Sequence, residues 1–183
     1  MRKPVRSYSQ IFDEQNVDSF LVTGYIRILI DGYNLLHAWP DLAKGYPRYS
    51  EEARDELRFI LQQFQDHSGI QVTLIFDGKG KKSPTKRSNK LKKKARESDM
   101  MEVLFSPSGM SADNVIERLA CRLAEYGKVL VVSNDSIEKS TVRSFGADTM
   151  GCQNFINEIS RCEVSFSEKI NRHNSKEKSN FHR

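Results

Sequence analysis

Short apolar runs alternate along this chain with longer stretches in which apolar residues recur every three or four positions. IRILI (26–30) ends in Asp-Gly, and QVTLIF (71–76) ends the same way at Asp77; EVLF (102–105) and KVLVV (128–132) are two further runs. Apolar runs this short, bounded by turn-forming residues, predict strands buried on both faces of a parallel sheet. Between them, residues 51–67 carry Ala53, Leu57, Ile60, Leu61 and Phe64 at helical spacing, with Ser50 to cap the start and Gly69 to end it. A second helix is predicted over 112–126, capped by Ser111, with Val115, Ile116, Leu119, Ala120 and Leu123 facing inward. A helix near 136–144, an extended piece at 147–150 and a helix near 152–160 follow. Strands alternating with helices give an α/β sandwich around a mainly parallel sheet. Residues 1–25 read as an N-terminal extension, 26–160 as one domain, and 161–183 as a charged, aperiodic, flexible tail.

The polar residues at the strand ends change the picture from fold to chemistry. In parallel α/β sheets ligands bind beyond the carboxyl ends of the strands, near a change in strand order. Asp31 follows the first strand, Asp77 the second, Asp135 lies just past the fourth, and Asp113 sits in the first turn of a helix entering from the same edge. Each alone has a structural explanation: a turn for Asp31 and Asp77, a helix start for Asp113, a cap for Asp135. Four such acids on one edge are harder to explain that way. Carboxylates held together repel, by roughly 4 kcal/mol for a pair at 4 Å and an effective dielectric of 20. A divalent cation removes that penalty, and an all-oxygen donor set selects Mg²⁺ or Mn²⁺ over Zn²⁺. Such an ion activates water and neutralises charge on a phosphodiester. Glu117, four residues after Asp113, shares its helix face and is a further candidate ligand, or else the solvated partner of a cation.

Composition adds a polyanionic partner. The chain has 183 residues, is 38% hydrophobic and 29% charged, and carries a net charge of +5, which is enough apolar material for one core and a basic balance that favours nucleic acid. The basic residues concentrate in a 79–96 insertion holding Lys79, Lys81, Lys82, Lys86, Arg87, Lys90, Lys92, Lys93, Lys94 and Arg96 with no acid among them. Placed directly after Asp77, these cations are expected to grip RNA phosphates without reading sequence; the alternative is a solvated basic loop. Tyr33, Trp39 and Tyr46, in the segment after the first strand, are candidates to stack on unpaired bases, although Trp39 is better read as a packing residue.

Other features exclude functions. Gly78-Lys79-Gly80-Lys81-Lys82-Ser83 lacks the spacing of a phosphate-binding P-loop. The four histidines show no metal spacing, and His37 reads as a loop residue. Cys121 and Cys152 fall in apolar helical patterns and are expected to be buried and inert. Three thiols without a disulfide framework, no membrane-spanning run and no secretory leader point to the cytoplasm.

Taken together, Ile30-Asp31-Gly32-Tyr33-Asn34, Phe76-Asp77-Gly78, Ser111-Ala112-Asp113-Asn114 with Glu117, and Ser133-Asn134-Asp135 resemble the NYN domain, in particular its YacP-like branch, a PIN-like ribonuclease group. The resemblance spans about residues 26–160 with the motifs in order. It implies a PIN-like three-layer fold and Mg²⁺- or Mn²⁺-dependent endonucleolytic cleavage of RNA, in the setting of mRNA turnover and translating ribosomes. It also implies that Asp31, Asp77, Asp113 and Asp135 form the site, that Asn34 orients a water or a phosphate beside it, and that Ser133 and Asn134 shape the loop holding Asp135. Asn134 departs from relatives that carry Ser there. An RNA- or ribosome-binding module without activity and a structure-specific DNA nuclease are the competing readings. A strand-end Asp phosphatase is disfavoured because it wants a second Asp where Tyr33 stands.

Overall fold

The computed structural model describes residues 24–42, 45–78 and 100–180, with side chains at 166 and 168–180 excepted. The apolar runs form five strands: β1 (Arg27–Asp31), β2 (Gln71–Phe76), β3 (Glu102–Phe105), β4 (Val129–Val132) and β5 (Asp148–Met150). All pair in parallel, in the order β3-β2-β1-β4-β5. The chain therefore builds outward from β1 to β3, then returns to the other side of β1 with β4. The gap between the ends of β1 and β4 is the topological switch point, where parallel sheets leave a crevice.

Alternation along the strands separates two cores. Ile28, Ile30, Val72, Leu74, Phe76, Leu130 and Val132 face one side, with Leu57 and Leu61 of α2 (Glu51–Ser68) and Phe155 and Ile159 of α5 (Cys152–Asn180). Leu29, Ile75, Val129 and Val131 face the other side with Ala112, Ile116 and Ala120 of α3 (Ala112–Leu123) and Val142 of α4 (Ser136–Ser144). This is the three-layer α/β arrangement expected. Each fully buried aliphatic side chain contributes about 1.5–3 kcal/mol through water exclusion.

Three local expectations are corrected. Residues 32–38, read as loop, form the short helix α1 (Gly32–Ala38), because Asp31 caps it and Leu35 and Leu36 bury against the first core. The tail placed from 161 is helical in continuation of α5 as far as Asn180; residues 152–180 contain neither Gly nor Pro to stop it. Cys121 is exposed, since the inward stripe of α3 runs through 112, 116 and 120 and the next residue turns about 100° away. Cys152 is buried as expected. Burial pushes its thiol up to about 12, reinforced by Asp31 and Glu138, so it stays protonated and unreactive.

No described helix is long and apolar enough to cross a membrane. The basic insertion with its ten cations lies outside the described residues, as does most of the N-terminal extension.

Candidate metal centre

Strand ends and helix starts at the carboxyl edge of the sheet deliver five acids. Asp31 closes β1 and is buried; its Oδ1 accepts hydrogen bonds from the backbone N–H of Tyr33 and of Asn34, both at 3.0 Å, and so caps α1. The Asn34 amide donates a short hydrogen bond to the other oxygen, Oδ2. Asn34 therefore holds the Asp31 carboxylate in orientation. Asp113 lies in the first turn of α3, whose cap is Ser111 accepting from Asn114 N–H at 3.3 Å.

Asp77 is exposed at the end of β2, and its Oδ1 accepts from Ala112 N–H at 2.6 Å, tying the second strand to the start of α3. Asp135 caps α4, accepting from Ile137 N–H at 2.7 Å and Glu138 N–H at 3.0 Å. The loop before it is fixed from both sides. Ser133 Oγ accepts from Asp135 N–H at 3.0 Å. Asn134 Oδ1 accepts from Cys152 N–H at 3.0 Å, anchoring the loop to the start of α5.

One acid on this edge escaped the sequence reading. Glu138, in the first turn of α4, is 2% exposed, and neither of its carboxylate oxygens completes a well-formed hydrogen bond, the Ser133 hydroxyl being the polar group beside it. One carboxylate oxygen from each of Asp31, Asp113 and Glu138 lies within 4.8 Å of the other two. Burial pushes the Glu138 carboxyl up to about 7; Ser133 pulls it down, and Asp31, Asp113 and Asp135 raise it further. Asp113 is raised too, first by burial and then by Asp31, Asp135, Asp77 and Glu117. An unpaired buried carboxylate costs several kcal/mol, so a buried carboxylate this close to two more fits a hard divalent cation. The chain thus brings together Asp31, Asp113 and Glu138. It places Asp77 and Asp135 beside them, engaged with backbone N–H groups, and half-buried Glu117 one turn along α3 from Asp113.

Both Asp-Gly steps serve packing. Neither Gly32 nor Gly78 takes a positive φ. A Cβ at Gly32 would overlap the Phe76 ring, and one at Gly78 would overlap the carbonyl oxygen of Ser106. Gly78 N–H donates to Ser106 Oγ at 2.9 Å, and Ser106 N–H donates to the Phe76 carbonyl at 2.9 Å. Gly78→Ala must open this corner, since backbone cannot yield as a side-chain tip can. A loss of about 1–3 kcal/mol is expected in a urea unfolding curve; an unchanged midpoint would mean the corner relaxes freely.

Tyr33 is half-buried, with its ring edge-on to both Phe76 and Tyr49. Trp39 packs against the first core, and Tyr46 is 55% exposed. His37 lies on α1, with Nδ1 3.1 Å from the Tyr49 hydroxyl and 3.2 Å from Arg48 Nη1.

Comparison with known proteins agrees with this architecture. The family model of the YacP-like NYN domain matches residues 28–183. The uncharacterized protein YacP of Bacillus subtilis (strain 168) is 28% identical over 144 residues, covering 78% of this chain and 80% of the relative. Two crystal structures of Rae1 (YacP) from Bacillus subtilis, one of a point mutant, share 26% identity with the chain. The mutant gives a TM-score of 0.64 over 81% of this chain and 83% of its own, and the other gives 0.63 over 83% of each.

Proposed function

Because the chain belongs to the YacP-like NYN domain family, within the PIN-like nuclease superfamily, we propose that it is an endoribonuclease that hydrolyses RNA phosphodiester bonds with Mg²⁺ or Mn²⁺. The observation that carries this reading is the buried Glu138 carboxylate, one oxygen of which lies within 4.8 Å of a carboxylate oxygen from each of Asp31 and Asp113. These three residues would hold the ion, which when bound supplies Lewis acidity to the phosphodiester and to a water. Asn34 keeps Asp31 oriented toward the centre. Asp135 and Asp77 fix the starts of α4 and α3, and with them the positions of Glu138 and Asp113. Asp113 is only half-buried, so it is the carboxylate that an incoming water reaches and the one suited to accept its proton. That water's oxygen forms a bond to phosphorus, the bond from phosphorus to the 3′-oxygen breaks, and the leaving oxygen takes up a proton.

Lys79, Lys81, Lys82 and the cations after them, directly following Asp77 and Gly78 in sequence, would contact phosphates flanking the cut. The setting we propose is the cytoplasm, in mRNA turnover at or near the ribosome. The products test the chemistry: water attack leaves a 5′-phosphate and a 3′-hydroxyl. Fragments ending in a 2′,3′-cyclic phosphate would instead indicate attack by the RNA's own 2′-hydroxyl and overturn hydrolysis. RNA bound but left intact, with ribosomes present as well as absent, would favour a binding module.

A further inference from the structure

Four aromatic rings run across the carboxyl ends of β1, β2 and β3. Tyr49 meets Tyr33 at 5.5 Å between centroids, Tyr33 meets Phe76 at 5.1 Å, and Phe76 meets Phe105 at 5.7 Å. The inner members are covered, and the two ends stand in water: Tyr49 is 50% exposed and Phe105 55%. The Phe76 and Phe105 rings lie within 25° of parallel, unlike the edge-on contacts earlier in the row. Phe105 closes β3, which among the described residues is an edge strand. One of its faces rests on Phe76, so a further flat ring placed on the other face would continue the stack.

The rings lie on the α2 and α5 face of the sheet and the acids on the α3 and α4 face, and the two meet at the carboxyl edge, with cations at the far end of the row. Ser106, the residue after Phe105, places its Oγ 3.5 Å from Asp77 Oδ1. Tyr33 donates its N–H to Asp31. At the far end, Arg54 Nη1 lies 3.5 Å from the Tyr33 hydroxyl and 3.2 Å from the Tyr49 carbonyl oxygen, with Arg48 beside it on His37. Flat rings with guanidinium groups at one end of the row match a single nucleic-acid strand, whose bases offer π-faces and whose phosphates offer negative charge. Bases paired within a duplex are already stacked and offer no free face to a ring at the sheet edge.

We propose that Phe105 is a base-stacking residue that holds an unpaired nucleotide at the carboxyl edge of the sheet, on the Asp77 side of the acidic centre. This rests on the ribonuclease reading, and the test separates the two. An oligoribonucleotide carrying 2-aminopurine is titrated into the full-length protein in the Asp113→Asn background, where cutting is absent and the ring row is intact. Binding should quench the fluorescence. Phe105→Leu, similar in bulk but without a π-face, should lose the quench and bind about tenfold more weakly, while Phe105→Trp restores both. Duplex RNA should bind equally to all three.

Thermal unfolding unchanged in Phe105→Leu, with Mn²⁺ affinity unchanged when that substitution is made in the otherwise wild-type chain, excludes a folding defect. If that variant misfolds, quenching by the Phe105→Trp protein, absent with duplex, still decides the matter. Quenching and affinity unaltered in Phe105→Leu would overturn the proposal and leave the ring as a protein contact. Quenching by the wild-type protein without cleavage in any metal would refute hydrolysis while the stacking role stands.

Discussion

Glu138→Gln is expected to stabilise the metal-free protein at pH 8 and to abolish RNA cleavage. The carboxyl of Glu138 sits at about 7 in the folded chain, against an ordinary 4.5. The native state therefore binds more protons than the unfolded state between those values, and stability falls as pH rises through that window. The contribution is fully present below pH 4.5 and lost above 7. It amounts to about 3 kcal/mol for the shift from 4.5 to about 7, taking 1.36 kcal/mol per pKa unit. Gln keeps the shape of the protonated acid without its titration. In EDTA, the urea midpoint of the wild type should fall between pH 5 and pH 8, while that of Glu138→Gln changes less. Mn²⁺ should reverse the order at pH 8, stabilising the wild type by mass action and leaving the variant nearly unmoved. Equal midpoints for the two proteins in EDTA at pH 8 would mean that Glu138 is not the strained acid of this centre.

Asp31 combines two roles that two substitutions pull apart. Asp31→Asn retains an oxygen to accept from Tyr33 and Asn34 N–H, so α1 should remain capped, while the Asn34 amide loses its acceptor on the second oxygen at a cost of about 1 kcal/mol. Cleavage should nonetheless fall roughly a thousandfold, the equivalent of several kcal/mol of charge stabilisation at 1.36 kcal/mol per tenfold. Asp31→Ala should lose the same activity and in addition about 1–2 kcal/mol of stability, because two backbone donors at a buried helix start lose their acceptor. An Asn variant with wild-type kcat/KM would remove Asp31 from the chemistry and leave it a cap.

These two residues also show what the sequence discloses and what it conceals. Asp31 is legible because an apolar run ending in an acid marks a strand end, and strand ends in a parallel sheet meet at one edge. Glu138 was missed because a Glu three residues into a helix reads as a complement to the dipole. Its signal lay in the spacing: Glu138 and Val142 are four apart on α4, and Val142 is buried, so Glu138 occupies an inward position normally given to an apolar residue. The short helix α1 was hidden for a different reason, since its start depends on the Asp31 cap more than on periodicity. The continuation of α5 past 160 had no apolar stripe to announce it. The aromatic row joins residues 33, 49, 76 and 105 from separate elements, and only the register of β2 with β3 brings Phe76 beside Phe105.

The most direct test of the metal-dependent ribonuclease is cleavage of an end-labelled single-stranded RNA by the wild type and by Asp113→Asn, each with Mg²⁺, Mn²⁺ or EDTA. Internal cutting by the wild type in either metal, silenced by EDTA and absent from Asp113→Asn, is the predicted result. Cutting that persists in EDTA, or that Asp113→Asn carries out at the wild-type rate, would contradict it.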